Sequence, residues 1–249
     1  MTVPFENDTG NIVRKLAGKS LKSEKRRNLM VVIAVALASC LICFSIVMAL
    51  STRQIEKNHV EDTYEAVYTR ITEEDVSTLK GLDDFSRVGE YYMLAVEPAE
   101  QGYNASYIYC DEETMYIARD QMKLLEGRLP QKEDEVVVSR YFLSNYAADA
   151  GIGEKVMLSS ESFHGEYTVT GILEGYKEKE VNGTSILLSK EALKGWSGYD
   201  PADYRAYVHF KNEQQMDETE LTARSREIAK EYQLEMPVMN LSYMKFYKQ

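Results

Sequence analysis

From Leu29 to Leu50 the chain reads LMVVIAVALASCLICFSIVMAL, 22 positions without a charge, a proline or a glycine. At the helical rise this run measures about 33 Å, enough to cross a hydrocarbon core of roughly 30 Å. No water is available inside a bilayer for stray backbone groups, so such a segment must close its amides as a helix. The pattern predicts one transmembrane helix over 29–50. Upstream, a helical wheel over 11–25 places Ile12, Val13, Leu16, Ala17, Ser20 and Leu21 on one half. Arg14, Lys15, Lys19, Lys22 and Lys25 fall on the other. That is the pattern of a helix lying in the membrane plane, with a solvated basic linker as the plainer alternative.

Beyond the apolar run the periodicity changes. Ser51 to Asp62 reads as a charged stalk that prolongs the helix, and the remainder alternates strand-like and helix-like pieces. Strands are predicted at 64–71, 88–96, 105–110, 135–138, 155–158, 167–173, 184–188 and 205–210, from β-branched and aromatic content and alternation. The second and third read as a hairpin across 98–104. Helices are predicted after Thr72, which precedes Glu73, Glu74 and Asp75 and runs to Gly81, and after Ser139 and Ser189. A longer helix is predicted after Asn212, with Gln215 completing a capping box and Leu221, Ser225, Ile228, Ala229 and Tyr232 sharing a face. Gly171 is expected at a bulge or a close backbone approach. The aromatic and basic text after Pro237, with Tyr243, Lys245, Phe246, Tyr247 and Lys248, reads as a return to the membrane surface.

Charge gives the run a direction. The first 28 residues carry seven basic and three acidic side chains, whereas the 199 residues after the run carry 22 basic and 37 acidic. Lys25, Arg26 and Arg27 stand at the membrane edge, and basic residues beside a first helix are retained in the cytoplasm. The N-terminus is therefore expected inside and residues 51–249 outside. A cleaved signal peptide has a shorter apolar core and a shorter start. The tetrapeptide Leu37-Ala38-Ser39-Cys40 resembles a lipobox, but ten apolar residues follow it.

Cys40 and Cys43 lie in the run and Cys110 stands alone beyond it, so no intramolecular disulfide is expected outside. The acidic balance argues against nucleic acid, which calls for clustered Lys and Arg. His59, His164 and His209 show no ligand spacing, so no metal is expected. Ser77 and Lys80 have the Ser-x-x-Lys spacing of penicillin-recognising enzymes, but no Lys-Thr-Gly accompanies them, and a solvated helix face accounts for both. Tyr91, Tyr92, Tyr103, Tyr107 and Tyr109 offer a recognition face for a sensor, against ordinary half-buried strand aromatics. The Asn-x-Ser/Thr sequons at Asn104, Asn182 and Asn240 matter only in a glycosylating pathway.

Several pieces of text stand in a fixed order: LKSEKRRNL entering the anchor at 21–29, GRLP at 127–130, EVVVS at 135–139, GIGEKVML at 151–158 and YTVTGIL at 167–173. In this order, behind one anchor, they resemble the permease subunits of MacB/FtsX-type ABC transporters. The resemblance implies an α+β extracytoplasmic domain, a mixed sheet with short helices and a small inserted lobe, on a single N-terminal transmembrane helix. It divides the chain into a cytoplasmic basic amphipathic segment (1–28), the membrane helix (29–50), a stalk (51–63), a main lobe (64–118 and 203–240), an inserted lobe (119–202) and a return to the membrane (241–249). It implies that the external domain acts as a lever or gate, with ATP bound by a separate ABC ATPase subunit and not by this chain. A second permease copy or homologue and the lipid bilayer are the other implied partners. No Gly-rich loop with a Lys-Ser/Thr pair is present, and neither catalytic residue nor cofactor is expected here. The family's later helices are missing from the sequence, which is thus expected to be a fragment or a lone anchored domain. Substrate and Gram type stay open, and a membrane-anchored sensor without transport is the alternative.

Overall fold

The structure is a computed structural model and describes residues 9–61, 63–119, 122–175, 183–211 and 215–247. It divides into a helical unit, Met1–Glu56, and a compact unit, Lys57–Gln249.

The first unit holds α1 (Thr9–Ser23) and most of α2 (Lys25–Val60). The backbone hardly breaks between them, because Glu24 N donates to Ser20 O and Asn28 N donates to Glu24 O. Neither proline nor glycine interrupts the 36 residues of α2. The hydroxyls of Ser45 and Thr52 donate to the carbonyls of Leu41 and Met48, four residues back, so these polar groups are satisfied within the helix.

The second unit is one mixed sheet with helices on both faces. Its strands are β1 (Ala66–Ile71), β2 (Phe85–Pro98), β3 (Asn104–Cys110), β4 (Lys123–Gly127), β5 (Glu135–Ser139), β6 (Lys155–Ser159), β7 (His164–Glu174), β8 (Gly183–Leu188), β9 (Tyr204–Phe210) and β10 (Val238–Met239). The order across the sheet is β10-β1-β9-β2-β3-β8-β5-β7-β4, with β6 also paired to β7. The predicted β2–β3 hairpin is present, and Gly102 takes φ +85° in its turn. Strands of 64–118 and 203–240 make up one half of the sheet, and strands of 119–202 the other. The halves meet at the parallel β3–β8 pair.

Among the described residues six helices pack on this sheet: α3 (Glu73–Lys80), α4 (Glu112–Ile117), α5 (Arg140–Tyr146), α6 (Lys190–Gly195), α7 (Glu218–Glu231) and α8 (Leu241–Tyr247). Thr72, Ser139 and Ser189 cap α3, α5 and α6 as their text predicts. Val76, Leu79, Phe142, Leu193, Leu221, Ile228 and Tyr243 bury against one sheet face. Ile117, Ala118 and Met122 cover the other. Strand β5 shows the two-sided burial most clearly: Val136 and Val138 face the larger core, Val137 the smaller, and all three are fully buried. Each such side chain contributes about 1.5–3 kcal/mol of transfer free energy.

Three expectations are corrected. Helix α7 begins at Glu218 under a capping box of Asp217 and Glu220, not at Asn212 with Gln215. Residues 212–214 lie outside the described residues. Helix α4, capped by Asp111, occupies a stretch for which no element was predicted. Strand β2 starts at Phe85 and continues to Pro98, extending beyond the predicted 88–96 at both ends. Helix α7 ends in a Schellman motif, Leu234 N donating to Ala229 O and Gln233 N to Lys230 O. Gln233 takes φ 59° where glycine is usual.

Candidate functional site

Two features stand out in the structure: the anchor, and the charged junction between the halves of the sheet. In the anchor, Arg14, Lys15, Lys19 and Lys22 lie on α1, and Lys25, Arg26 and Arg27 occupy the first turn of α2. All seven are exposed. Arg27 pairs with Glu24. On the other half of α1, Ile12, Val13 and Leu16 are also exposed. The apolar run of α2 is covered by no protein atom: its most apolar window has a mean hydropathy of 2.9 and none of it is buried. Burial is worth about 25 cal/mol per Å² of apolar surface, so a bare helix of this kind belongs in lipid.

The junction is built from charges of which sequence reading named Lys80 and Glu73, each for another role, and left out Glu90, Asp111, Lys190 and Lys194. Glu90 lies in β2 with its carboxylate nearly buried, flanked by the apolar text of the strand. Lys190, in the first turn of α6, reaches it at 2.6 Å and also reaches Glu73 of α3 at 2.7 Å. Lys194 holds the other oxygen of Glu73 at 2.9 Å. Lys80 pairs with Asp111 at 2.9 Å and with Glu90 at 3.5 Å. Three carboxylates and three ammonium groups thus form one network, with the two cations of α6 from one half of the sheet and the rest from the other. Hydrogen bonds from Lys190, and next from Lys194, hold the Glu73 carboxyl below the usual range. Burial pulls Lys190 down, but the bonds to Glu73 and Glu90 outweigh it and leave its ammonium above the usual value. The rings of Tyr109 and Tyr204 flank the same ammonium at 5.6 and 5.9 Å. The signal that points to this site is the lone acid in GEYYMLA, because a carboxylate in a buried strand needs a partner.

The GRLP and EVVVS text forms a second polar knot. Gly127 has φ +83°, and a Cβ there would lie 2.2 Å from Thr170 O and 2.7 Å from the Cα of Gly171. Gly171 in turn sits against the carbonyl of Arg128, where a Cβ would stand 2.8 Å away. This is the close approach its place in the sequence predicts, with a register shift in the β5–β7 ladder beside it. Arg128 grips the Glu135 carboxylate with both terminal nitrogens, at 2.8 and 2.7 Å. Gln131 N adds a 2.8 Å bond. The Arg128 guanidinium, aided by those backbone amides, lowers Glu135 to about 2.

Within the second unit the segment leading into β1 is also tied down. Arg119 donates to Glu61 O, Tyr64 N to Ile117 O, and Glu65 N to Val208 O. The fully buried Glu65 carboxylate lies 2.6 Å from His209 Nδ1 and accepts from Phe210 N.

Other candidates are not brought together. Ser77 Oγ donates to the Glu73 carbonyl of its own helix, and Lys80 is committed to Asp111 and Glu90. Tyr91, Tyr92, Tyr103 and Tyr107 are core residues rather than a recognition face. His164 is exposed and His209 serves Glu65, whereas the His59 side chain, Asn182 and Lys248 lie outside the described residues. Among the described residues no three His, Cys, Asp or Glu side chains cluster as metal ligands.

An apolar anchor helix and a mixed α+β domain whose second half is inserted into the first define the class: a membrane-anchored domain. Residues 29–226 match the model of the MacB-like periplasmic core domain. The chain belongs to that family, and with it to the MacB/FtsX-type ABC transporter permeases. Among solved structures, one that it resembles is the extracellular domain of the noncanonic ABC-type transporter YknZ from Gram-positive bacteria. Identity there is 16%, with a TM-score of 0.50, covering 72% of this chain and 100% of that one. Another is the periplasmic region of MacB from Actinobacillus actinomycetemcomitans, at 11% identity and a TM-score of 0.50, covering 74% and 91%. Both likenesses are of fold. No curated protein matches the sequence.

Proposed function

We propose that the chain serves a permease subunit of an ABC transporter, with its N-terminus cytoplasmic and residues 51–249 outside. In this reading a separate ATPase subunit binds and hydrolyses ATP, two permease copies or homologues are drawn together, and the external domain moves as a lever that exports or extracts a substrate. The observation that carries it is the family membership together with an α2 that holds neither proline nor glycine in its 36 residues. A lever needs a stiff rod, and α2 lacks the proline and glycine at which helices usually kink. Arg14, Lys15, Lys19, Lys22, Lys25, Arg26 and Arg27 then bind anionic headgroups of the inner leaflet, at about 1 kcal/mol for each cation near the surface.

The test is affinity purification from membranes solubilised in mild detergent. A nucleotide-binding ATPase co-purifying in near-stoichiometric amount supports the proposal. A chain that never brings one down from cells in which all its neighbours are expressed contradicts it, and returns the sensor reading.

A further inference from the structure

Among the described residues the sheet has free edges at β10, β1, β4 and β6, and the first three are blunted. Strand β10 is two residues long. Strand β1, beyond its two pairs with β10, is bent at Arg70, which takes φ 54° where the register to β9 breaks. Strand β4 carries a register shift between Leu124 and Glu126. Breaks, bulges and shortness are the usual means of keeping an edge from pairing with another chain.

Strand β6 has none of them. Its ladder to β7 runs without a break from Lys155↔Thr168 to Ser159↔His164. The N–H of Thr168 is spent on Asp134 O, on the β5 side, so Lys155↔Thr168 is a non-hydrogen-bonded pair. The Ser159 carbonyl agrees, since it accepts from Glu100 N, outside the ladder. By alternation Lys155 and Met157 also turn their N–H and C=O groups outward. A groove of about 660 Å³ is lined by Tyr146–Ala150 and by Gly153–Met157, which takes in the first three residues of β6. Met157, which lines it, is about half exposed.

We propose that the outer edge of β6 accepts an added strand from an extended, Lys- or Arg-bearing segment of a partner protein. The backbone groups of Lys155 and Met157 supply a two-residue ladder, and the Met157 side chain offers a cross-strand apolar contact. Charge selects the partner. Asp149 and Glu154 line the groove, and the one cation among its described lining residues, Lys155, is paired with Glu166 at 2.9 Å. Asp149 has no ion-pair partner among the described residues. A basic strand gains from both acids, and an acidic one is repelled.

The test uses the full chain in nanodiscs of zwitterionic lipid, with a dye-labelled, end-blocked peptide of four Lys-Val repeats and its Glu-Val counterpart as probes. Anisotropy is expected to show the Lys-Val peptide binding at least tenfold more tightly than the Glu-Val one. Met157→Pro removes an edge N–H that no internal bond uses, and is expected to weaken binding about fivefold to tenfold. Asp149→Lys, on an exposed turn, is expected to weaken it about threefold by charge alone. In the wild-type complex, hydrogen exchange at the Met157 amide slows. The proposal is overturned if Met157→Pro binds as well as wild type, if the Glu-Val peptide binds equally, or if the Met157 amide stays unprotected in the complex. Self-association without peptide that Met157→Pro abolishes also overturns it, in favour of a second copy as occupant.

Discussion

Consider the paired substitutions Arg128→Gln and Glu135→Gln. The bidentate bridge lowers the Glu135 carboxyl from an ordinary 4.5 to about 2. At 1.36 kcal/mol per pH unit that depression corresponds to at most about 3 kcal/mol of linkage. Arg128 is 49% exposed at its side chain, so solvent screening reduces the share owed to the pair to about 1–2 kcal/mol. A double-mutant cycle in the full chain, read by urea unfolding at pH 7, is expected to return a coupling energy of that size. The sign with pH follows from the direction of the shift. A carboxyl whose folded value is depressed contributes its stability above the unfolded value of about 4.5, and loses it as pH falls toward 2. The coupling should therefore be flat from pH 7 to 5 and shrink below 4.5. A coupling under about 0.3 kcal/mol at pH 7, or one that grows as pH falls, would refute the assignment of this bridge as the lock of the GRLP segment.

Three further outcomes are expected. Gly127→Ala places a methyl against Thr170 O and forces alanine into positive φ, costing about 3 kcal/mol and lowering the melting temperature by about 8 °C; an unchanged melting curve contradicts the close approach. Lys190→Met strips a cation from Glu73 and Glu90, but Lys194 and Lys80 remain beside them, so the loss should be about 2 kcal/mol rather than the 3–5 of an abandoned buried charge; calorimetry showing a loss above about 4 would mean that the network does not share its charges. The apolar run holds 12 Leu, Ile, Val and Phe residues, worth together about −5 kcal/mol on the insertion scale against about +3 for each central lysine. Leu37→Lys alone should thus stay in the carbonate-resistant membrane fraction, and adding Ile33→Lys and Leu41→Lys should release it.

Much of the architecture is written locally. The anchor announces itself by length and lack of charge, and caps at Thr72, Ser139 and Ser189 fix three helix starts within one residue. Strand β5 is legible because three consecutive valines suit a strand buried on both faces. Helix α7 shows where local signals compete. Asn212 with Gln215 and Asp217 with Glu220 are two capping boxes five residues apart, and the apolar face from Leu221 onward is compatible with either. Helix α4 is too short for periodicity, although Asp111 followed by Glu112 and Glu113 carries its start. What the sequence cannot carry is pairing at long range. The parallel β3–β8 contact joins residues some 79 positions apart, and the network of Lys190, Glu73 and Glu90 exists only after that contact forms. At the C-terminal end the aromatic text has a use within the domain, since Tyr243 and Met244 are buried in the core.

The account depends on a membrane rod that carries the acidic domain on the far side of the membrane from a basic N-terminus. Protease applied to intact cells, without an outer barrier, tests this most directly. The prediction is loss of the fragment beyond residue 60 with the first 28 residues shielded until lysis. A domain that is cut only after lysis, while the N-terminus is cut from outside, would contradict it.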